Sequence, residues 1–404
     1  MEMSLIRRMY TKFVKKSMSE SVAIPDTGKW AQLLNSMPAP KDGIDVAYNK
    51  HLCRMSYFSV PKKILMNVLS AGALILSLPK ILKKVGPGRA VKKGALLLET
   101  QERIGYHDVV PQEMLDSFKE IAYVEKKDAS AGPMVDAARK LFFQCVRRHP
   151  FSFWFIFLVQ KELALHSSYL QNYDMEACAL YVYEKPTAGP VVTELYEATG
   201  RRLISFMHGE YLLQLPQCYM KFSEYYVWDE AYADMFKNDL NCHISKYTVY
   251  APLKLQKKWH LEEIEPEYFC TYYFSSEKLD AMYKIAEVLN ALTAKGYKCK
   301  VRPHPRATTY LKEMEAALNG VYIEAPREIS MHDSLAGTMY AAGTISTVLS
   351  EAYVEGRKIV IDDVSDPAMF GSLRDRKAIV LTKEHMLLSE LCRMAGLEAD
   401  HAGM

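Results

Sequence analysis

From residue 94 onward the chain alternates short apolar runs with longer amphipathic stretches. "GALLLE" (94–99) is continuously apolar, the pattern of a strand buried on both faces. The stretch 111–170 reads mainly helical, and "FSFWFIFLV" (151–159) within it is too short to span a bilayer, so core packing is expected. "CALYVYE" (178–184) predicts a strand, "GPVVTELYEATG" (189–200) a helix closed by Gly200, and "RLISFMHG" (202–209) the next strand. "EYYVWDE" (224–230) and "KYTVYAP" (246–252) continue as strands with a helix from 229 between them.

A second series follows the glutamate-rich stretch "KWHLEEIEPE" (258–267), which makes a plausible hinge. Strand "YFCTYYFS" (268–275) leads into a helix over 276–296, opened by Ser276 as a cap and closed by Gly296. Strand "YKCKVRP" (297–303), a helix from about 307, strand "GVYIEA" (320–325), strand "AGTMYAAG" (336–343), a helix over 345–355 and strand "KIVIDD" (358–363) complete it. Such alternation favours mostly parallel sheets with helices on both faces. The expected fold class is α/β, two Rossmann-like halves at 94–255 and 256–404 behind a basic, mainly helical N-terminal extension over 1–93.

Two segments of that extension bear on partners. "MEMSLIRRMYTKFVKK" carries no secretory signal, and its spacing of Leu5, Met9 and Phe13 suits a short basic amphipathic helix. Residues 64–82 are strongly apolar, but their 16 uninterrupted uncharged positions fall short of a spanning helix. From Ala47 to Leu98 there is no Asp or Glu, while ten Lys and Arg occur. An apolar stretch bracketed by lysines fits a segment lying on an anionic leaflet, and it equally fits a buried core helix with solvated ends. The pattern leaves both readings open.

With 404 residues, two domains are the natural expectation, and a net charge of +3 directs attention to how charge is distributed. The eight cysteines stand singly, with no zinc-site spacing, which predicts buried reduced thiols and a cytosolic compartment. No phosphate-binding P-loop, dinucleotide fingerprint, zinc-protease or hydrolase motif is present. The aromatic runs "YFCTYYF" and "SEYYVW" alternate as core strands do, so nucleic acid is not an expected partner.

Three motifs fall at predicted strand ends, where open parallel sheets bind ligands. In "RPHPR" (302–306), Pro303 and Pro305 hold Arg302 and His304 extended. A guanidinium beside an imidazole there suits phosphate oxygens, a solvated loop being the alternative. In "AAGTISTVLSEAYVEG" (341–356), Gly343 permits a tight turn and Thr344 can cap. The N–H groups near Ser346 and Thr347 then open a helix suited to an anion, and Glu351 lies one turn on, within reach of ribose hydroxyls. A capped helix with Glu351 solvated is the alternative. In "FMHGEYL" (206–212), His208 and Glu210 are candidate bases for an attacking hydroxyl, against a purely structural histidine.

The His-Gly pair, "RPHP" and "GTISTVLSEAYVEGRKIVI" together resemble bacterial glycosyltransferases of the GT-B fold. The resemblance is closest to the capsule polymerase and polysialyltransferase group and the related CDP-glycerol glycerophosphotransferases, and covers roughly residues 178–363. It implies His304, Ser346 and Thr347 as ligands of a donor's phosphates, Arg302 by position, and His208 as the base. "HGE" departs from the polysialyltransferase pattern and points away from sialic acid.

The implied activity is transfer of a sugar, or a glycerol phosphate, from a cytidine or uridine nucleotide donor to a hydroxyl of a surface polysaccharide or lipid-linked acceptor. Neither a cofactor nor a metal is expected, the phosphate charge being met by the protein. The implied location is cytoplasmic, peripheral on the inner face of the membrane. A sugar-nucleotide 2-epimerase of the same fold, or a non-catalytic polysaccharide-binding assembly subunit, are the competing readings.

Overall fold

The structure, a computed structural model, describes residues 27–83, 92–93, 95–100, 109–125, 132–181, 183–184, 186–207, 209–252, 255–256, 258–275, 277–304, 311–344 and 346–397. The expected basic helix around Leu5 and the helix cap Ser276 lie outside these residues. The chain divides into two units, one of residues 1–208 and 213–252, the other of 209–212 and 253–404.

The first unit holds a six-stranded parallel sheet made of β1 (Leu96–Thr100), β2 (Ile121–Glu125), β3 (Ala177–Tyr181), β4 (Arg202–Phe206), β5 (Glu224–Val227) and β6 (Tyr247–Val249). Its order is β6-β5-β4-β3-β1-β2. Leu96, Leu97 and Leu98 are all fully buried, as a continuous apolar run in an interior strand must be. β2 falls in the stretch expected to be mainly helical. It is a five-residue edge strand whose Tyr123 is half exposed, so no buried period-2 stripe marks it in sequence.

Helices α1 (Thr27–Ser36), α2 (Gly43–Met55), α3 (Val60–Leu82), α4 (Asp136–Arg148), α5 (Phe153–Asn172) and α6 (Gly189–Ala198) belong to the same unit. Asp42 caps α2 by accepting from the N–H groups of Ile44 and Asp45 at 3.0 and 3.1 Å. Ile44 and Ala47 of α2 and Ile81 of α3 share one core with Phe142, Phe155, Val159, Leu163, Val191 and Leu195 of α4 to α6. Between residues 27 and 83 the basic extension is thus mainly helical and packed on its unit, and Lys92–Lys93 pair as a short parallel strand with Tyr173–Asp174. Gly43 is required by this contact, because a Cβ there would sit 2.6 Å from the Pro190 carbonyl oxygen of α6.

The second unit's sheet consists of β7 (Tyr268–Tyr273), β8 (Cys299–Arg302), β9 (Tyr322–Ile323), β10 (Thr338–Gly343), β11 (Lys358–Ile361) and β12 (Met386–Leu387), all parallel, in the order β9-β8-β7-β10-β11-β12. Numbered along the chain this is 3-2-1-4-5-6, the Rossmann order. Side chains alternate as period 2 requires. Tyr272 packs with Met282, Ile285 and Leu289 of α7 (Leu279–Ala294), while Tyr273 packs with Leu335, Leu349 and Leu373 on the other face. Both units are therefore Rossmann-like α/β domains, as the alternation of elements predicts. The aromatic runs of β5 and β7 are core, with Tyr225 and Tyr272 fully buried.

Candidate functional site

In a sheet of this order the chain leaves β7 towards β8 and β9, then returns past β7 to β10. The crevice at the carboxyl ends of β7 and β10 is the topological switch point where ligands bind. Register sets the residues that line it. Tyr273 pairs with Arg302, Tyr272 with Ala342, and Gly343 with Ile361, so four strands end at one level. The next residues are Pro303 and His304 after β8, Phe274 and Ser275 after β7, Thr344 after β10 and Asp362 after β11. His304 and Thr344 flank the β7 end, roughly two strand spacings or 10 Å apart.

His304 is exposed at the end of β8, where the extended backbone set by Pro303 carries it past the sheet. Gly343 ends β10 close to β7, since a Cβ there would lie 3.1 Å from the Tyr273 carbonyl oxygen and against Leu349. This approach lets the chain turn directly into the helix over Thr347–Val354, labelled α10 once α8 (Leu311–Ala317) and α9 (Met331–Ala336) are counted. The cap is Ser346, whose Oγ accepts from the N–H of Val348 at 3.2 Å. Its hydroxyl keeps a hydrogen to donate, and because the Leu349 N–H bonds the Ser346 carbonyl at 3.0 Å, Thr347 carries the first-turn N–H not used by the cap. Glu351 lies one turn further along α10, half buried.

Three expectations are corrected by side-chain partners. Arg302 is buried rather than open to a phosphate. Its Nη1 pairs with Glu324 Oε1, and Nη2 donates to the carbonyls of Pro326 and Ile329 at 3.2 and 2.9 Å. Lys300 completes a buried triad, its Nζ 2.5 Å from Glu324 Oε2 and 3.1 Å from the Ser334 carbonyl. The side chains of both cations and of Glu324 are almost wholly excluded from water. Arg302 therefore anchors the 324–329 segment beside β8.

Thr344 is not the cap. Its hydroxyl donates to Glu277 Oε1 at 2.7 Å, and the same carboxylate accepts from the Ser275 N–H at 2.6 Å. Glu277 thus ties the turn after β7 to the turn after β10. It went unread in sequence because it lay inside a predicted helix, whereas α7 begins only at Leu279. An acid two residues past a switch-point strand is the signal that could have found it.

Glu210, expected to serve the N-terminal half, belongs to the second unit, where its Oε1 accepts from the Ser350 hydroxyl on α10. Leu212 joins the cluster of Leu349, Ala352 and Leu373 in that unit. His208 and Arg306 lie outside the described residues. The structure accordingly brings His304, Ser346, Thr347, Glu351 and Glu210 to one edge of the second unit and withdraws Arg302 and Thr344 into protein contacts.

Asp362, after β11, is a further residue of this edge. Its carboxylate accepts from the Tyr272 hydroxyl at 2.6 Å and from the N–H groups of Val364 and Ser365 at 2.9 and 2.8 Å. Burial and the neighbouring Asp362 and Glu277 carboxylates push the Tyr272 phenol well above its usual range, so it stays a donor. Among the described residues no group of three or more His, Cys, Asp and Glu is placed to hold a metal ion.

Neither a protein-family profile nor a curated protein matches the chain in sequence. Several solved structures are similar over much of the chain. The wall teichoic acid polymerase TagF with CDPG is similar over 84% of this chain and 88% of its own, at 9% identity and a TM-score of 0.40. UDP-GlcNAc 2-epimerase from Methanocaldococcus jannaschii is similar over 72% of this chain and 94% of its own, at 11% identity and a TM-score of 0.35. A putative UDP-N-acetylglucosamine 2-epimerase from Listeria monocytogenes is similar over 76% and 91%, at 10% identity and a TM-score of 0.37. At these TM-scores the likenesses assign no function, which rests on the chain's own geometry.

Proposed function

We propose that the chain is a nucleotide-dependent transferase, moving a sugar or a glycerol phosphate from a cytidine or uridine nucleotide donor to a hydroxyl of a surface polysaccharide or lipid-linked acceptor. The observation that carries this reading is His304 and the Ser346-capped start of α10 flanking β7 at the switch point of a 3-2-1-4-5-6 sheet. A diphosphate bridging them would receive hydrogen bonds from the imidazole, the Ser346 hydroxyl and the Thr347 N–H. Glu351, one turn along, would accept from ribose hydroxyls.

In the reaction the bond between the transferred group and the nucleotide's terminal phosphate oxygen breaks as the acceptor oxygen forms the new one. The leaving phosphate gains negative charge, which His304 and the α10 donors stabilise without a metal. The acceptor's proton passes to a base, for which His208 is the first candidate and Glu210 the second. Glu277 and Thr344 hold the two turns in place, and Arg302 holds the wall behind His304 through Glu324.

The test is thermal-shift titration of the full chain with CMP, CDP, UDP and GDP. A bound diphosphate at a hundred times its Kd should add about 2.7 kcal/mol of stability. His304→Ala and Ser346→Ala should each abolish most of that gain. No stabilisation by any nucleotide overturns the reading. The nucleotide conjugate is then incubated with and without membrane acceptor. Release of nucleotide that depends on acceptor supports transfer, whereas acceptor-free conversion of the sugar identifies an epimerase.

A further inference from the structure

α3 has no role in the nucleotide site, and among the described residues its surface stands apart. Met66, Ser70 and Ile81 are its buried positions, and Met66 packs with Phe58 and Trp154 in a cluster at the start of α5. Asn67 reinforces that face, its Oδ1 accepting from the Trp154 N–H at 3.1 Å. At 100° per residue the opposite side comprises Val60, Pro61, Ile64, Leu65, Val68, Leu69, Gly72, Ile75, Leu76, Leu78, Pro79 and Leu82, with no polar residue among them. These side chains are in water. Ile64 is 60% exposed, Val68 63%, Ile75 66% and Leu82 59%.

A helix of 23 residues is about 35 Å long, so this is a continuous apolar strip far larger than the scattered exposed leucines of an ordinary surface. Its charge pattern selects the occupant. Lys62 and Lys63 stand in the first turn and an exposed Lys83 at the end, within a 47–98 segment holding ten Lys and Arg and no acid. A second copy of the chain would have to cover an apolar strip while bringing its own like charges to these lysines. An anionic bilayer supplies both halves of the match, acyl chains for the strip and headgroup phosphates for its ends.

The geometry also decides orientation. By length and composition Val60–Pro79 could cross a membrane, the one such helix among the described residues. Crossing would require tearing Met66 and Asn67 from Trp154 and burying Asn67 in hydrocarbon. Lying flat leaves the α5-facing side on the protein and gives only the apolar side to lipid.

We propose that α3 lies in the plane of an anionic lipid surface, its outward face inserted among acyl chains and its lysine ends on headgroups. The inference is independent of the nucleotide reading, because vesicle binding needs no nucleotide and α3 belongs to the other unit.

The test is sedimentation of the full chain with vesicles of phosphatidylcholine alone and with about one third phosphatidylglycerol. Binding should be strong only with phosphatidylglycerol and should weaken with salt. Ile64→Glu/Ile75→Glu should lower the partition coefficient by more than about tenfold, and Val68→Asn by less, since each removes exposed apolar surface and touches no core residue. Unchanged circular dichroism and melting temperature verify that the variants fold. Absence of vesicle binding, or binding unaltered in both variants, overturns the proposal. Retention of the membrane-bound protein after alkaline carbonate extraction would mean a spanning helix and also overturns it. A dimer in light scattering that Ile64→Glu/Ile75→Glu dissociates, without vesicle binding, assigns the strip to a second copy instead.

Discussion

Replacing Glu324 with Gln should unfold the second unit's sheet edge, because the carboxylate is the common partner of two buried cations. Its side chain is fully buried, and those of Lys300 and Arg302 are 4% and 7% exposed. At an effective dielectric of about 20, each pair of unit charges roughly 4 Å apart attracts by about 4 kcal/mol, and desolvation of the ions offsets much of this. Removing the shared anion leaves both cations desolvated and facing one another. Breaking a buried pair in this way costs about 3–5 kcal/mol. In a unit of this size that is a fall of roughly 10 °C in melting temperature.

The assay is urea unfolding followed by a probe of the second unit, with the triple variant Lys300→Met/Arg302→Met/Glu324→Leu as comparison. Replacing all three charges with apolar groups should recover most of the loss, since no ion is then left unpaired. The folded triple variant should also keep nucleotide stabilisation, because Arg302 acts as an anchor and His304 as the ligand. A loss below about 1 kcal/mol in Glu324→Gln refutes the triad as a structural unit. Loss of nucleotide binding in a folded triple variant refutes the withdrawal of Arg302 from the phosphate site.

Other consequences can be checked separately. Burial, with Arg54 and His149 nearby, holds the His51 pKa down to about 3 from 6.5. The unfolded chain therefore takes up a proton below pH 6.5 that the folded chain refuses until about pH 3. The stability is complete above pH 6.5 and declines by about 1.4 kcal/mol per unit as pH falls towards 3, a slope that His51→Phe should remove from urea titrations. All eight cysteines are free and buried, and burial pushes the Cys242 thiol up to about 12, so a thiol reagent should label none in the native chain and eight after denaturation. Tyr272→Phe deletes one of the donors that hold Asp362 and should cost about 1.5–3 kcal/mol, read by urea unfolding. Gly343→Ala should cost about 1–3 kcal/mol and weaken nucleotide stabilisation, because its Cβ would press on the Tyr273 carbonyl and shift the turn carrying Ser346.

What the sequence determined by itself is local. Apolar runs of strand length, prolines after β8 and a glycine after β10 place His304 and Ser346 at strand ends, since backbone conformation and side-chain period depend on near neighbours. The second unit's strands up to β11 were legible for the same reason, while the edge strand β2 and the two-residue β12 escaped because so short a run need not show buried alternation. Tertiary structure decided which charges were spent. Arg302 and Glu324 are 22 residues apart, and Thr344 and Glu277 are 67 apart. Only the parallel register brings each pair together, so nothing in "RPHPR" or "GTIST" announces that Arg302 and Thr344 are already occupied. Strand order, which makes β7 and β10 a switch point, is likewise a property of the assembled sheet. The same holds for α3. An apolar helix buried in a core and one left open to an outside surface have the same composition, and packing against α5 on one face alone distinguishes them.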